Sequence, residues 1–156
     1  MKIIRDTREK KGWDWAFGYE NIELIDQGIP TGDYTIKGYE DLICVERKSS
    51  TSELALNLGK HCKRFENELE RLTSFRFRWV ICEFSKSELL NFPKGANIPP
   101  FLKKKVRVRG PYLMNLVVGL SEEYETEFIF LSDRESAEQA AYNLMMEAVN
   151  VIDSER

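Results

Sequence analysis

Gly32-Asp33-Tyr34-Thr35-Ile36-Lys37-Gly38-Tyr39-Glu40-Asp41-Leu42-Ile43-Cys44-Val45-Glu46-Arg47-Lys48 reads as two strands and a turn. Asp33 to Lys37 and Leu42 to Lys48 flank a short turn containing Gly38, the pattern of a β-hairpin. Ile43 and Val45 face one way and Leu42 and Cys44 the other. A strand apolar on both faces belongs at the covered centre of a sheet. With the turn centred near Tyr39, an antiparallel register sets Asp33 opposite Glu46, give or take one step. Glu46 and Lys48 are two apart and share a face. Two carboxylates and an ammonium thus converge at one end of a buried sheet, where charges are costly unless paired or metal-bound.

Outward from the hairpin, Lys2 to Arg5 and Asn21 to Gln27 read as strands, Trp13 to Gly18 as a helical turn and Pro30-Thr31-Gly32 as a turn. Leu54, Leu58, Cys62, Phe65, Leu69 and Leu72 recur at helical spacing. They predict one long amphipathic helix, or two in line with a break at Gly59. Ser50 and Glu53 have capping-box spacing at its start. Phe77 to Phe84 is a buried strand, and Ser85 with Glu88 caps a short helix. Asn91 to Arg109 is longer than usual loops and is expected to be a lid, a DNA-contacting arm or disordered. Pro111 suits the first turn of a helix carrying Leu113, Leu116, Val117 and Leu120. Glu127 to Leu131 is a strand, and Ser132 with Glu135 caps a last helix. The order predicts one α/β domain over residues 1–156, a mixed sheet with helices on both faces.

Hydrophobic residues at 42% and charged residues at 31% fit a globular chain and exclude a disordered one. No apolar run is long enough to span a bilayer, so no membrane partner is expected. Met1 to Asp6 has no signal-peptide character. Cys44, Cys62 and Cys82 are odd in number and form no CxxC pair, which argues against zinc and for a reduced, cytoplasmic protein. The net charge of −3 excludes a polycation, yet the charge is segregated. Lys103, Lys104, Lys105, Arg107 and Arg109 occur with no acid between them. Ser121 to Glu147 holds eight acids and only Arg134 as a base. Such blocks are either solvated surface or a phosphate-facing side and a far side.

Two carboxylates held close together repel, and a divalent cation removes that repulsion. Oxygen ligands with open positions suit Mg²⁺, with Mn²⁺ able to substitute, better than zinc. The chemistry that needs this set is phosphodiester hydrolysis. A metal activates water there, and Lys48 orients the water or offsets transition-state charge.

The same residues resemble the XPF family of structure-specific endonucleases, a branch of the restriction-endonuclease-like PD-(D/E)xK superfamily. The resemblance begins at Asp6-Thr7-Arg8-Glu9, similar to the family's DxRE opening. It continues through Gly32-Asp33-Tyr34 and Val45-Glu46-Arg47-Lys48, its GDY and VERK signatures. It extends over Arg64 to Leu72, Ile81-Cys82-Glu83 and, weakly, Asp133 to Glu138. It implies a restriction-endonuclease-like α/β fold and a Mg²⁺-dependent DNA endonuclease, active on branched or flapped DNA and leaving a 5′-phosphate and a 3′-hydroxyl. Asp33 and Glu46 would be metal ligands, Lys48 the catalytic lysine, and Asp6, Arg8 and Arg47 catalytic-site neighbours. The family has an aspartate four residues after the ERK lysine. Here Ser52 stands there, followed by Glu53, which either substitutes as a ligand or caps the helix. Many members append helix–hairpin–helix modules; the resemblance here covers a nuclease domain alone, and a phage or bacterial version is the expectation.

Glu9, Glu23 and Glu83 are further candidates to complete the metal site, with Glu9 favoured by the DxRE match. Lys60, Lys63, Arg64 and Arg71 lie on the polar flank of the long helix, for DNA contact or for ion pairs with Glu66, Glu68 and Glu70. His61, the sole histidine, is expected mid-helix in a structural or surface role. The Ala/Met-rich face from Ala140 to Ala148 suits packing on the sheet or a homodimer. Rival functions are a Holliday-junction resolvase or repair exonuclease on the same fold, and a non-catalytic DNA-binding or scaffolding module.

Overall fold

The structure is a computed structural model that describes all 156 residues. Its frame is a six-stranded mixed sheet: β1 (Lys2–Arg5), β2 (Glu23–Asp26), β3 (Tyr34–Ile36), β4 (Ile43–Lys48), β5 (Phe77–Cys82) and β6 (Glu127–Phe130). The spatial order is β2-β1-β3-β4-β5-β6. β1 pairs with β2 in parallel and with β3 antiparallel, β3 and β4 form the antiparallel hairpin, and β4, β5 and β6 run parallel.

Alternation along the central strands builds two cores. On β4, Cys44 enters one apolar cluster while Ile43 and Val45 enter the other; on β5, Val80 and Cys82 oppose Trp79 and Ile81. Leu42 departs from the expected alternation, since it precedes the strand and packs with the Ile43 cluster. The first cluster lies under α1 (Thr51–Leu58), α2 (Cys62–Leu72), α3 (Lys86–Leu90) and α5 (Gly110–Glu123), with the one-turn α4 (Pro100–Lys103) beside them. The second is covered by α6 (Arg134–Ser154) and by Trp13 and Trp15. This is the mixed sheet with helices on both faces that the element order predicts.

The predicted helix from Leu54 to Leu72 is two helices, and the break falls at Gly59 as expected. His61 therefore sits at the N-cap of α2 rather than in mid-helix. Ser50 caps α1 by accepting from the Glu53 amide, but the Glu53 carboxylate reaches Ser49 instead of closing a capping box. α6 is capped by Asp133, one residue later than Ser132, because the Asp133 carboxylate accepts from the Ser136 amide at 2.7 Å.

Trp13 to Gly18 forms no helical turn. Trp15 has φ of 51°, a left-handed conformation unusual for a bulky side chain. Distant contacts hold it. The Trp15 amide donates to the Glu138 carboxylate at 2.6 Å, and the Trp13 amide donates to the Tyr34 hydroxyl at 2.6 Å. The long Asn91–Arg109 connection is tied down: Phe92 and Ala96 are buried, and the Gly110 amide donates to the Phe92 carbonyl at 3.0 Å. The Ala/Met-rich side of α6 lies on the sheet, with Ala141, Met145 and Ala148 fully buried. No helix is long and apolar enough to cross a membrane. All three cysteines are free thiols, Cys44 and Cys82 buried as expected.

Candidate active site

The hairpin register pairs Tyr34 with Val45, so one step further sets Asp33 against Glu46, as the turn position predicts. The Asp33 amide donates to the Val45 carbonyl at 2.8 Å, and the Asp33 carboxylate accepts from the Arg47 amide at 2.7 Å. The backbone before it needs Gly32. Its φ is +77°, and a Cβ there would come within 2.3 Å of the Cys44 sulfur. Only glycine takes this conformation without strain at so close an approach.

Glu46 and Lys48 leave β4 on the α1/α2 side. Lys48 Nζ donates to Glu46 Oε1 at 2.9 Å, lies 3.9 Å from Glu53 and sits 4.8 Å from the ring centre of Phe65. Arg47 leaves on the opposite face. It donates to Glu83 at 2.7 Å and to Glu9 at 3.2 Å, and lies over the Trp13 ring. Asp6 is buried and accepts from the Ile29 amide and from the Arg8 guanidinium, joining the ends of two loops at the mouth of the site.

Burial, then the charge of Glu46, pushes the Asp33 carboxyl well above the ordinary carboxylate range. Burial also raises Glu46, against the opposing pull of Lys48. Burial would lower Lys48, but Glu46, Glu53 and Glu68 outweigh it, so the ammonium is held in its charged form. Asp6 is resisted by burial yet ends below the ordinary range, because Arg8 and the Ile29 amide bind its charged form.

These groups open into a cleft of about 620 Å³ with no hydrophobic residue in its wall. Asp33, Glu46 and Lys48 line it. Arg8, Lys10, Lys11 and Arg134 stand on one side, and His61, Arg64 and Arg71 are contributed by α2 and its cap. Sequence reasoning missed Lys10, Lys11, Arg134 and Asn57, whose side-chain oxygen is buried without a partner. The signal for Arg134 was present: it is the lone base in an acidic block. Its guanidinium donates to the carbonyls of Lys11 and Gly12, which fixes the segment bearing Lys10 and Lys11.

Other predicted residues lie elsewhere or have other partners. Glu23 pairs with Lys2, at the end of the parallel β1–β2 pair away from Asp6. Glu83 accepts from Arg47 and from the Trp13 indole, outside the cleft lining. Glu9 and Glu53 line the cleft, but Glu9 is engaged by Arg47 and Glu53 by Ser49 and Lys48. Lys60 is exposed beside the α1–α2 break, and neither it nor Lys103, Lys104, Lys105, Arg107 or Arg109 lines the cleft.

No group of three or more His, Cys, Asp or Glu is gathered that could hold a metal ion. An ion here would therefore rest on Asp33, Glu46 and water. Mg²⁺ tolerates this, since it keeps several waters and takes one or two carboxylates. The raised Asp33 fits such a guest, because a divalent charge removes the repulsion that a proton otherwise relieves.

No family model and no curated protein matches this sequence. Solved structures do match. XPF from Aeropyrum pernix aligns over 100% of this chain and 69% of its own, with a TM-score of 0.66 and 19% identity. XPF from Aeropyrum pernix in complex with DNA aligns over 96% of this chain and 65% of its own, with a TM-score of 0.64 and 19% identity. The chain shares its α/β fold with these XPF structures.

Proposed function

We propose that this chain is a Mg²⁺-dependent endodeoxyribonuclease that hydrolyses phosphodiester bonds in branched or flapped DNA. The observation that carries the proposal is the convergence of Asp33, Glu46 and Lys48 in a wholly polar cleft with cations on both sides. The fold shared with XPF from Aeropyrum pernix, in one case described in complex with DNA, supports it.

Asp33 and Glu46 would hold the ion, and a bound divalent cation supplies Lewis-acid charge to the phosphate and acidifies water. Glu46 orients Lys48, and Phe65 backs its ammonium, so Nζ faces the cleft as a fixed donor rather than a floating charge. There it offsets the negative charge that grows on the phosphate oxygens as water attacks and the leaving oxygen departs. Lys10, Lys11 and Arg71 make no ion pair and can take flanking phosphates, Arg64 is matched only by Glu68 at 3.9 Å, and Arg8 is held by Asp6 and the Ile29 carbonyl. Arg47 acts through its backbone: its amide fixes the Asp33 carboxylate while its side chain is locked by Glu83 and Glu9. Free buried thiols at Cys44 and Cys82 suit work inside the reducing cell.

The test is incubation with labelled single-stranded, duplex, flap and four-way-junction DNA, with Mg²⁺, Mn²⁺, Ca²⁺ or EDTA. Cleavage is expected with Mg²⁺ and Mn²⁺, strongest on flap or junction. Ca²⁺ should support binding with little turnover, because its looser coordination positions water poorly. Undiminished cleavage in EDTA would refute the metal requirement.

A further inference from the structure

The strongest block of positive charge on the molecule lies outside the cleft and has no role in the chemistry above. From Asn91 to Arg109 there are six cations, Lys94, Lys103, Lys104, Lys105, Arg107 and Arg109, and no acid. None of the six makes an ion pair. In the active site, by contrast, Arg47 and Lys48 are both matched by carboxylates. The block is also held in place. Phe92 and Ala96 anchor it in the core, and Gly110 packs against the end of α3 so closely that a Cβ would meet the Leu90 and Leu89 carbonyl oxygens at 2.1 and 2.2 Å.

Within this block a separate groove of about 420 Å³ is lined by Leu90, Pro93, Lys94, Lys103, Arg109 and Pro111, among others. Two aromatic rings flank it in sequence. Phe101, two residues before Lys103, is 68% exposed, and Tyr112, directly after Pro111, is 60% exposed. Exposed rings and unpaired cations on and beside one anchored connection match one kind of ligand well. An unpaired strand offers both a phosphate backbone and free base faces, and stacking on aromatic side chains is what a sequence-tolerant single-strand site uses. A duplex keeps its bases stacked on one another and would engage only the cations.

We propose that the α3–α5 connection is a second nucleic-acid site, for single-stranded DNA, in which Phe101 and Tyr112 stack on bases and Lys94, Lys103 and Arg109 bind phosphates. In the nuclease reading, on which its biological setting rests, this site holds the unpaired arm of a branched substrate. Binding itself requires no catalysis, so the two ideas fail separately.

The experiment is fluorescence anisotropy of a labelled oligothymidine and of a labelled duplex, in EDTA, at several salt concentrations. Wild type is compared with F101A/Y112A and with K103Q/R109Q, with a melting curve and light scattering on each preparation. F101A/Y112A should weaken oligothymidine binding about tenfold or more, the scale of lost stacking, while duplex binding changes little. K103Q/R109Q should lower the single-strand log–log salt slope by about 0.7 per lost phosphate contact. Unchanged oligothymidine binding in both folded variants would overturn the proposal. Equal losses on strand and duplex in F101A/Y112A would overturn the stacking assignment. A fall in molecular mass without a fall in oligothymidine binding would show that the rings cover a second copy of the chain and would overturn it as well. Cleavage of a flap by wild type bears only on the active-site assignment.

Discussion

Asp33→Asn keeps the shape and hydrogen-bonding capacity of the side chain while removing one charge from a buried acidic pair. In the metal-free protein the native Asp33 carboxyl holds its proton more tightly than the same group in the unfolded chain. Between the ordinary carboxylate range and that raised value, the folded state binds more protons than the unfolded state. Metal-free stability contributed by this group is therefore present at low pH and lost as pH rises. Asparagine removes that loss. The metal-free variant should melt at or above wild type at neutral and higher pH, with the difference shrinking in mild acid, as thermal unfolding across a pH series would show. A variant that melts below wild type at every pH would mean that the charge on Asp33 stabilises the metal-free fold, contrary to the raised carboxyl.

At the level of elements, the α3–α5 contact can be broken by one methyl group. Gly110→Ala would force a Cβ onto two backbone oxygens that cannot move aside as a side chain could. The cost should be about 1–3 kcal/mol, as for other overpacked sites, read as a lower denaturation midpoint at unchanged m-value. The hairpin was the legible element. Its apolar strand, its turn and the period of two are local properties, and together they placed Asp33 against Glu46 and put Glu46 and Lys48 on one face. The break at Gly59 was legible for the same reason. Trp13 to Gly18 was not, because its backbone is set by Glu138, more than a hundred residues away in the chain. Sequence placed the cations only in part: Arg8, Arg64 and Arg71 line the cleft, whereas Lys60 does not. Lys103 to Arg109 drew attention by density, yet the cleft is flanked by Lys10, Lys11 and Arg134, brought there by β1 and by the start of α6. Charge density along a chain carries no information about which side of the sheet the charge will reach.

For the whole molecule, the fold holds the two places proposed for a nucleic acid: a polar cleft at the end of the central strands and a basic connection beside α3 and α5. The cleft carries the central claim, that Asp33 and Glu46 bind a divalent ion and Lys48 stabilises charge during hydrolysis. The most direct measurement is made on Lys48→Ala, with melting temperature, Mg²⁺ binding by calorimetry and flap cleavage recorded on one preparation. Removing Lys48 leaves both carboxylates in place, so the variant should fold, bind Mg²⁺ and bind DNA. It should cleave roughly 10²–10³-fold more slowly, the scale of one lost electrostatic donor. A folded, Mg²⁺-binding variant that cleaves at the wild-type rate would contradict the account.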